Sequence, residues 1–72
     1  MMKIERLIKM ANDIGDFFNA ESNKEIAAEG VTKHILRSWD PRMRRDIIAY
    51  YRQDGAGLSE LVKTAISRLE QV

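Results

Sequence analysis

An all-α fold, a small four-helix bundle with helices at about residues 2–20, 23–38, 41–53 and 59–71, follows from three features of the 72-residue sequence. Apolar residues recur at three- and four-residue spacing along most of the chain, the pattern of helices with one buried face. No stretch alternates apolar and polar residues with period two for long enough to make a strand. Helix start and stop signals interrupt the periodic runs at Ser22 with Glu25, at Asp40 with Pro41, at Gly55 and at Ser59. The interruptions are short, so the helices fold back on one another within a single domain, residues 1–72.

In the first helix Ile4, Leu7, Ile8, Ala11, Ile14 and Phe18 form the apolar stripe, and Met10 and Phe17 widen it to about half the circumference. A stripe of that width predicts contact with at least two other elements, or with one element and a partner. Glu5 and Lys9 have the spacing of a surface ion pair, which contributes only a few tenths of a kcal/mol. Ser22 and Glu25 read as a capping box opening the second helix, whose inner face is expected to hold Ala27, Val31, His34 and Ile35. Ile26 and Leu36 fall on its other side, where they are exposed or meet something outside the domain.

The third helix starts with Asp40 as cap and Pro41 at the first helical position, where a missing N–H loses nothing. Met43, Ile47 and Tyr50 give it a core stripe, and Arg44, Ile48 and Tyr51 form a second stripe beside the first. Gly55 stops this helix in a left-handed conformation and Ser59 caps the fourth, where Leu61, Val62, Ala65, Ile66, Leu69 and Val72 share one face. Glu60, Lys63, Ser67 and Glu70 lie on the other face.

The stretch WDPRMRR, from Trp39 to Arg45, is an anomaly. It places Arg42, Arg44 and Arg45 at the positive end of a helix, where each cation costs about 0.3–1 kcal/mol if nothing offsets it. Three together predict that something acidic lies opposite them.

The size of the chain limits its stability. At 8.3 kDa the folded chain is expected to expose about 4,600 Å² of the roughly 12,000 Å² exposed when unfolded. Apolar burial then yields about 110 kcal/mol against an ordering cost of about 108 kcal/mol, so the two terms nearly cancel. A chain so balanced gains stability from any partner that binds its folded form.

Composition narrows the function. The 12 Lys and Arg against 11 Asp and Glu give a net charge of +1, far from a strongly basic nucleic-acid binder, so any basic function is local. The absence of cysteine leaves neither a disulfide nor a thiolate metal site and fits a reducing, cytoplasmic setting. The opening MMKIERLIKM mixes charged and apolar residues every turn, unlike a signal peptide or a membrane span.

Groups for catalysis are few. His34 is the one histidine, without the three or four ligands a zinc site uses, and reads as a packed or hydrogen-bonded structural residue. Ser22 and Ser59 are explained by helix caps, and the GAG segment lacks the lysine and spacing of a phosphate loop. No catalytic, metal or cofactor-binding residue is therefore assigned, and the chain is not expected to be an enzyme by itself.

Three readings fit the arginines. They are solvated or paired within the chain; or Lys33, His34, Arg37, Arg42, Arg44 and Arg45 grip a nucleic-acid backbone; or they belong to a protein-binding surface. Interfaces enrich Arg, Tyr, Trp and Met, and Trp39, Met43, Arg44 and Tyr51 supply all four types. Trp39 also suits a core plug at the corner between two helices, and Met43 a core position. A self-associating helical domain, a homodimer when isolated, is a further alternative, from the wide stripe of the first helix with Ile26 and Leu36.

The segments KMANDIGDFF, KHILRSWDPRMRRDIIAY and GAGLSELVKTAI together resemble the small delta subunit of the cytosolic, molybdenum-containing, NAD-dependent formate dehydrogenases, over roughly residues 9–69. WDPRMR followed ten residues later by GAGL is the most specific part. The family pattern falls on Met10, Ala11, Asn12 and Ile14, then on Trp39, Asp40, Pro41, Arg42, Met43 and Arg44, then on Gly55, Ala56, Gly57 and Leu58. Where the family carries a proline before the Leu-Val of the fourth helix this chain has Glu60, which also suits a first turn.

The resemblance implies an accessory subunit without a cofactor of its own, associated with assembly or stability of the complex, while the larger subunits hold the molybdenum cofactor, iron–sulfur clusters and flavin. Together the two readings give Trp39, Arg42, Arg44, Arg45, Ile48 and Tyr51 as the expected contact residues for the larger catalytic subunit, with no membrane partner. A nucleic-acid-binding regulator using the basic turn at residues 37–45 is the weaker alternative.

Overall fold

The computed structural model describes residues 3–71. Among them the chain forms four helices and no strand: α1 (Ile4–Phe18), α2 (Lys24–Ser38), α3 (Pro41–Gln53) and α4 (Glu60–Leu69). This is the expected all-α bundle, with every helix end within two residues of its expected position. Residue 2 and Val72 lie outside the described residues.

Local chemistry sets the ends. The Asp40 carboxylate accepts from the Met43 N–H at 2.9 Å and the Ser59 hydroxyl from the Val62 N–H at 3.3 Å, both as expected. The start of α2 differs. Asn23, not Ser22, is the cap, its side-chain oxygen accepting from the N–H groups of Glu25 and Ile26 at 3.0 and 3.2 Å. The helix begins one residue later than a Ser22–Glu25 box requires, and the Glu25 carboxylate turns instead to Arg68 on α4. Lys24 closes the preceding loop, donating to the Asn19 carbonyl and side chain at 3.1 Å and to the Glu21 carbonyl at 3.2 Å.

The core contains Leu7 from α1, Val31 and Ile35 from α2, Ile47 from α3, and Val62 and Ile66 from α4, all fully buried. α1 meets all three other helices, as its broad stripe requires. Its expected Glu5–Lys9 pair is replaced by Lys9–Asp13 at 3.0 Å, which runs further down the same exposed side. Phe17 does not widen the buried stripe. Phe18 takes the space over Gly30 and leaves Phe17 76% exposed at the margin.

α2 and α4 form the most extensive contact, made close by Ala27, Ala28 and Ala65, which are fully buried. There the buried Thr32 hydroxyl donates to the Ala28 carbonyl at 2.9 Å and lies 3.2 Å from the Ala65 carbonyl. His34 is exposed rather than on the inner face, because one residue step from buried Ile35 turns it about 100° away.

The α3–α4 turn depends on Gly55, whose φ of +74° is costly for residues with a Cβ and whose N–H donates to the Tyr50 carbonyl at 3.1 Å. The Tyr50 hydroxyl donates to the Ala56 carbonyl at 2.6 Å and Leu58, 6% exposed, plugs the turn into the core. The total accessible surface of 4781 Å² agrees with the value expected for this mass.

Candidate functional site

The anomaly of the arginines is resolved in part by the corner between α2 and α3. The last carbonyls of a helix have no partner within it and carry the negative end of its dipole. α2 ends beside the start of α3, and Arg44 is turned toward that negative end. Its Nη1 donates to the Trp39 carbonyl at 2.7 Å and lies 3.4 Å from the Leu36 carbonyl. Arg44 therefore has a structural task at one helix end while sitting in the first turn of the next.

Arg42 and Arg45 have no such anchor and are exposed. The ion pairs among the described residues are Lys9–Asp13, Lys33–Glu29, Arg52–Glu70, Lys63–Glu60 and Arg68–Glu25, and none involves Arg37, Arg42, Arg44 or Arg45.

Pro41, Arg44, Arg45, Ile48 and Arg52 share one side of α3 by their three- and four-residue spacing. That side floors a shallow groove of about 600 Å³, walled by Leu36 from α2 and by Leu69 and Glu70 at the end of α4. Its apolar floor carries three guanidinium groups against one carboxylate, that of Glu70, which accepts from Arg52 Nε.

Of the six residues expected at a partner contact, the groove brings together Arg44, Arg45 and Ile48. Arg42 is exposed beyond its edge. Tyr51 is half-buried against the core, its ring edge close to Gly55. Trp39 is 4% exposed and belongs to the core, its large ring closing the corner between α2 and α3, the other position its sequence context suited. Met43 packs against the core as expected. Sequence reasoning did not place Arg52, Leu69 and Glu70 at this surface, since Arg52 and Glu70 are 18 residues apart and no local pattern joins them. Leu36 was detectable, as an apolar residue off the inner face of α2.

A second apolar surface lies on the far flank of α2, since His34 and Leu36, two residues apart, point about 200° from each other. There Ile14, Phe17, Phe18 and His34 line a depression of about 310 Å³. The Phe17 ring stands edge-on to Phe18 at 5.1 Å, and Phe18 is 6.5 Å from the His34 ring. Ile26 is 54% exposed. Among the described residues no group of three or more His, Asp or Glu side chains is placed to hold a metal ion, and no helix is long and apolar enough to cross a membrane.

The separate sequence signatures meet in space. Asn12 donates through Nδ2 to the Gly57 carbonyl at 2.8 Å and accepts at Oδ1 from the Ser59 N–H at 3.1 Å. One amide thus fastens the MAN segment of α1 to the GAGL turn, 45 residues away. Neither curated proteins nor solved structures provide a match to the chain. A family model described as the NADH-dependent formate dehydrogenase delta subunit FdsD matches residues 6–66, a span that holds the Asn12 clasp, the α2–α3 corner and the turn into α4. With its signature segments joined in the fold and most of its length inside that match, the chain belongs to the NADH-dependent formate dehydrogenase delta subunit family.

Proposed function

We propose that this chain is a non-catalytic accessory subunit that docks on the larger catalytic subunit of a formate dehydrogenase complex and stabilises or helps to assemble it. Family membership supports the complex, and the groove on α3 supports the docking. The observation that carries the reading is the exposed Arg45, without an ion-pair partner among the described residues, beside an apolar floor containing Ile48, a combination typical of interface centres. Arg42 extends the basic edge. The chain contributes no cofactor in this role; it supplies surface.

Co-expression of the tagged chain with the other formate dehydrogenase polypeptides tests the proposal. The catalytic polypeptide is expected to co-purify with it, and Ile48→Asp is expected to reduce that recovery by placing a carboxylate on the floor. Recovery of the chain alone, from cells in which the catalytic polypeptide is abundant and folded, would refute docking.

A further inference from the structure

The groove along α3 already holds one carboxylate of its own chain, and that contact indicates what the remainder accepts. At the end nearest Gln53, Arg52 pairs with Glu70, which follows Leu69, itself only 4% exposed. An apolar side chain followed by a carboxylate fills this end. Two turns back along α3, about 12 Å at 1.5 Å per residue, Arg44 and Arg45 border the same groove with Leu36, Ile48 and Ala49. No carboxylate of the described residues pairs with either arginine. Arg44 is fixed in place through Nη1, with its other guanidinium donors left over. Arg45 is exposed.

We infer, on the basis of the docking role proposed above, that this end of the groove binds an acidic amphipathic segment of a larger subunit, which presents a carboxylate to Arg45 and seats an apolar side chain on Leu36 and Ile48. Charge complementarity selects the acid, because two cations on one short stretch that no carboxylate of the described residues pairs attract and orient an anionic group. The apolar floor selects a polypeptide over a phosphate backbone, which offers no side chain to cover Leu36 and Ile48. The internal Leu69–Glu70 contact has the same order of groups. The competing occupant is a second copy, whose Asp16 and Phe17 also place an acid beside an exposed aromatic ring.

The test is photocrosslinking in the intact complex. The full chain carrying Ala49→p-benzoylphenylalanine, or Phe17→p-benzoylphenylalanine as the control face, is co-expressed with the formate dehydrogenase polypeptides, irradiated and analysed by peptide mass spectrometry. Position 49 is expected to capture a peptide of a larger subunit with Asp or Glu within about one helical turn of the crosslink. Arg45→Glu is expected to lower complex recovery about tenfold or more, and a Lys in place of the captured acid to restore it. Capture of a second copy or of nucleic acid at position 49 would overturn the inference. So would crosslinks from position 17 alone, or an Arg45→Glu chain recovered in complex as well as the unaltered one; in both cases docking itself would stand. Failure of the unaltered chain to co-purify would remove the docking role and this inference together.

Discussion

Replacing Arg44 separates the two roles that three neighbouring arginines play. In the folded chain Arg44 Nη1 is 2.7 Å from the Trp39 carbonyl and 3.4 Å from that of Leu36, whereas the Arg45 side chain makes no ion pair among the described residues. A hydrogen bond to a charged group contributes about 1.5–3 kcal/mol. A cation at a helix C-terminus adds about 0.3–1 kcal/mol, and its position in the first turn of α3 subtracts a similar amount, so the dipole terms largely offset. Arg44→Ala is therefore expected to cost about 1.5–3 kcal/mol, while Arg45→Ala stays within about 0.5 kcal/mol of the unaltered chain. For a domain of this length that is a fall in Tm of roughly 6–24 °C for the first and little for the second. Urea and thermal unfolding of the full chain, followed by far-UV circular dichroism, measure both. Arg44→Lys should recover part of the loss, because an ammonium can reach a carbonyl but lacks the guanidinium's spread of donors. If Arg44→Ala and Arg45→Ala unfold together at the midpoint of the unaltered chain, the corner between α2 and α3 does not depend on this side chain and the assignment of Arg44 as its clamp is wrong.

Asn12 invites a similar comparison. Asn12→Ala removes one donor and one acceptor from the α1 clasp and is expected to cost about 1–3 kcal/mol; Asn12→Asp keeps the acceptor for the Ser59 N–H but sets an oxygen against the Gly57 carbonyl, so it should not rescue. Equal stability of Asn12→Asp and the unaltered chain would show that only the Ser59 contact matters. Gly15→Ala sets two effects against each other: better helix propensity, worth about 1 kcal/mol, and a new Cβ that would lie 2.7 Å from Val62 Cγ2. Because Val62 is fully buried and has little room to move, overpacking of about 1–3 kcal/mol should win, giving net destabilisation in the same unfolding assay. A stabilised Gly15→Ala chain would mean that α1 and α4 separate freely at this point.

The helices were legible because each carries a three-four apolar pattern bounded by residues with one dominant local use. Asp40 and Ser59 cap where they stand in sequence, and Gly55 takes the positive φ that a glycine at that place suggests. Errors arose where two neighbours offered the same chemistry. Ser22 and Asn23 are both good caps, and a shift of one residue moved Glu25 out of the box and into a pair with Arg68. Phe17 and Phe18 are equally apolar, and only the tertiary position of Gly30 decides which ring is covered. The groove was half legible. Arg44, Arg45 and Ile48 belong to a local stripe on α3, but Arg52 with Glu70, and Leu36 with Leu69, come together only through the packing of three helices. Trp39 was ambiguous because interface composition and core composition are alike for tryptophan; only the packing of the α2–α3 corner shows that its ring is buried.

The placement of the remaining cations links stability to assembly. The Asp40 carboxylate caps α3, but Arg42 and Arg45 stand at its positive end without an ion-pair partner among the described residues and without the carbonyl contacts that Arg44 finds at α2. In a chain whose burial and ordering terms nearly cancel, leaving two such costs in place is tolerable only while they stay at a few tenths to about 1 kcal/mol each. On the docking reading a partner carboxylate at Arg45 turns one of these costs into an attraction, and it does so only for the folded chain, because the groove needs α2, α3 and α4 together. Binding to the folded form alone adds about 2.7 kcal/mol at a partner concentration one hundred times Kd, which is comparable to the loss expected for Arg44→Ala. The complex should therefore hold Arg44→Ala folded at temperatures where the free chain carrying it has melted, whereas Arg45→Glu, intact in isolation, should gain little from the same partner.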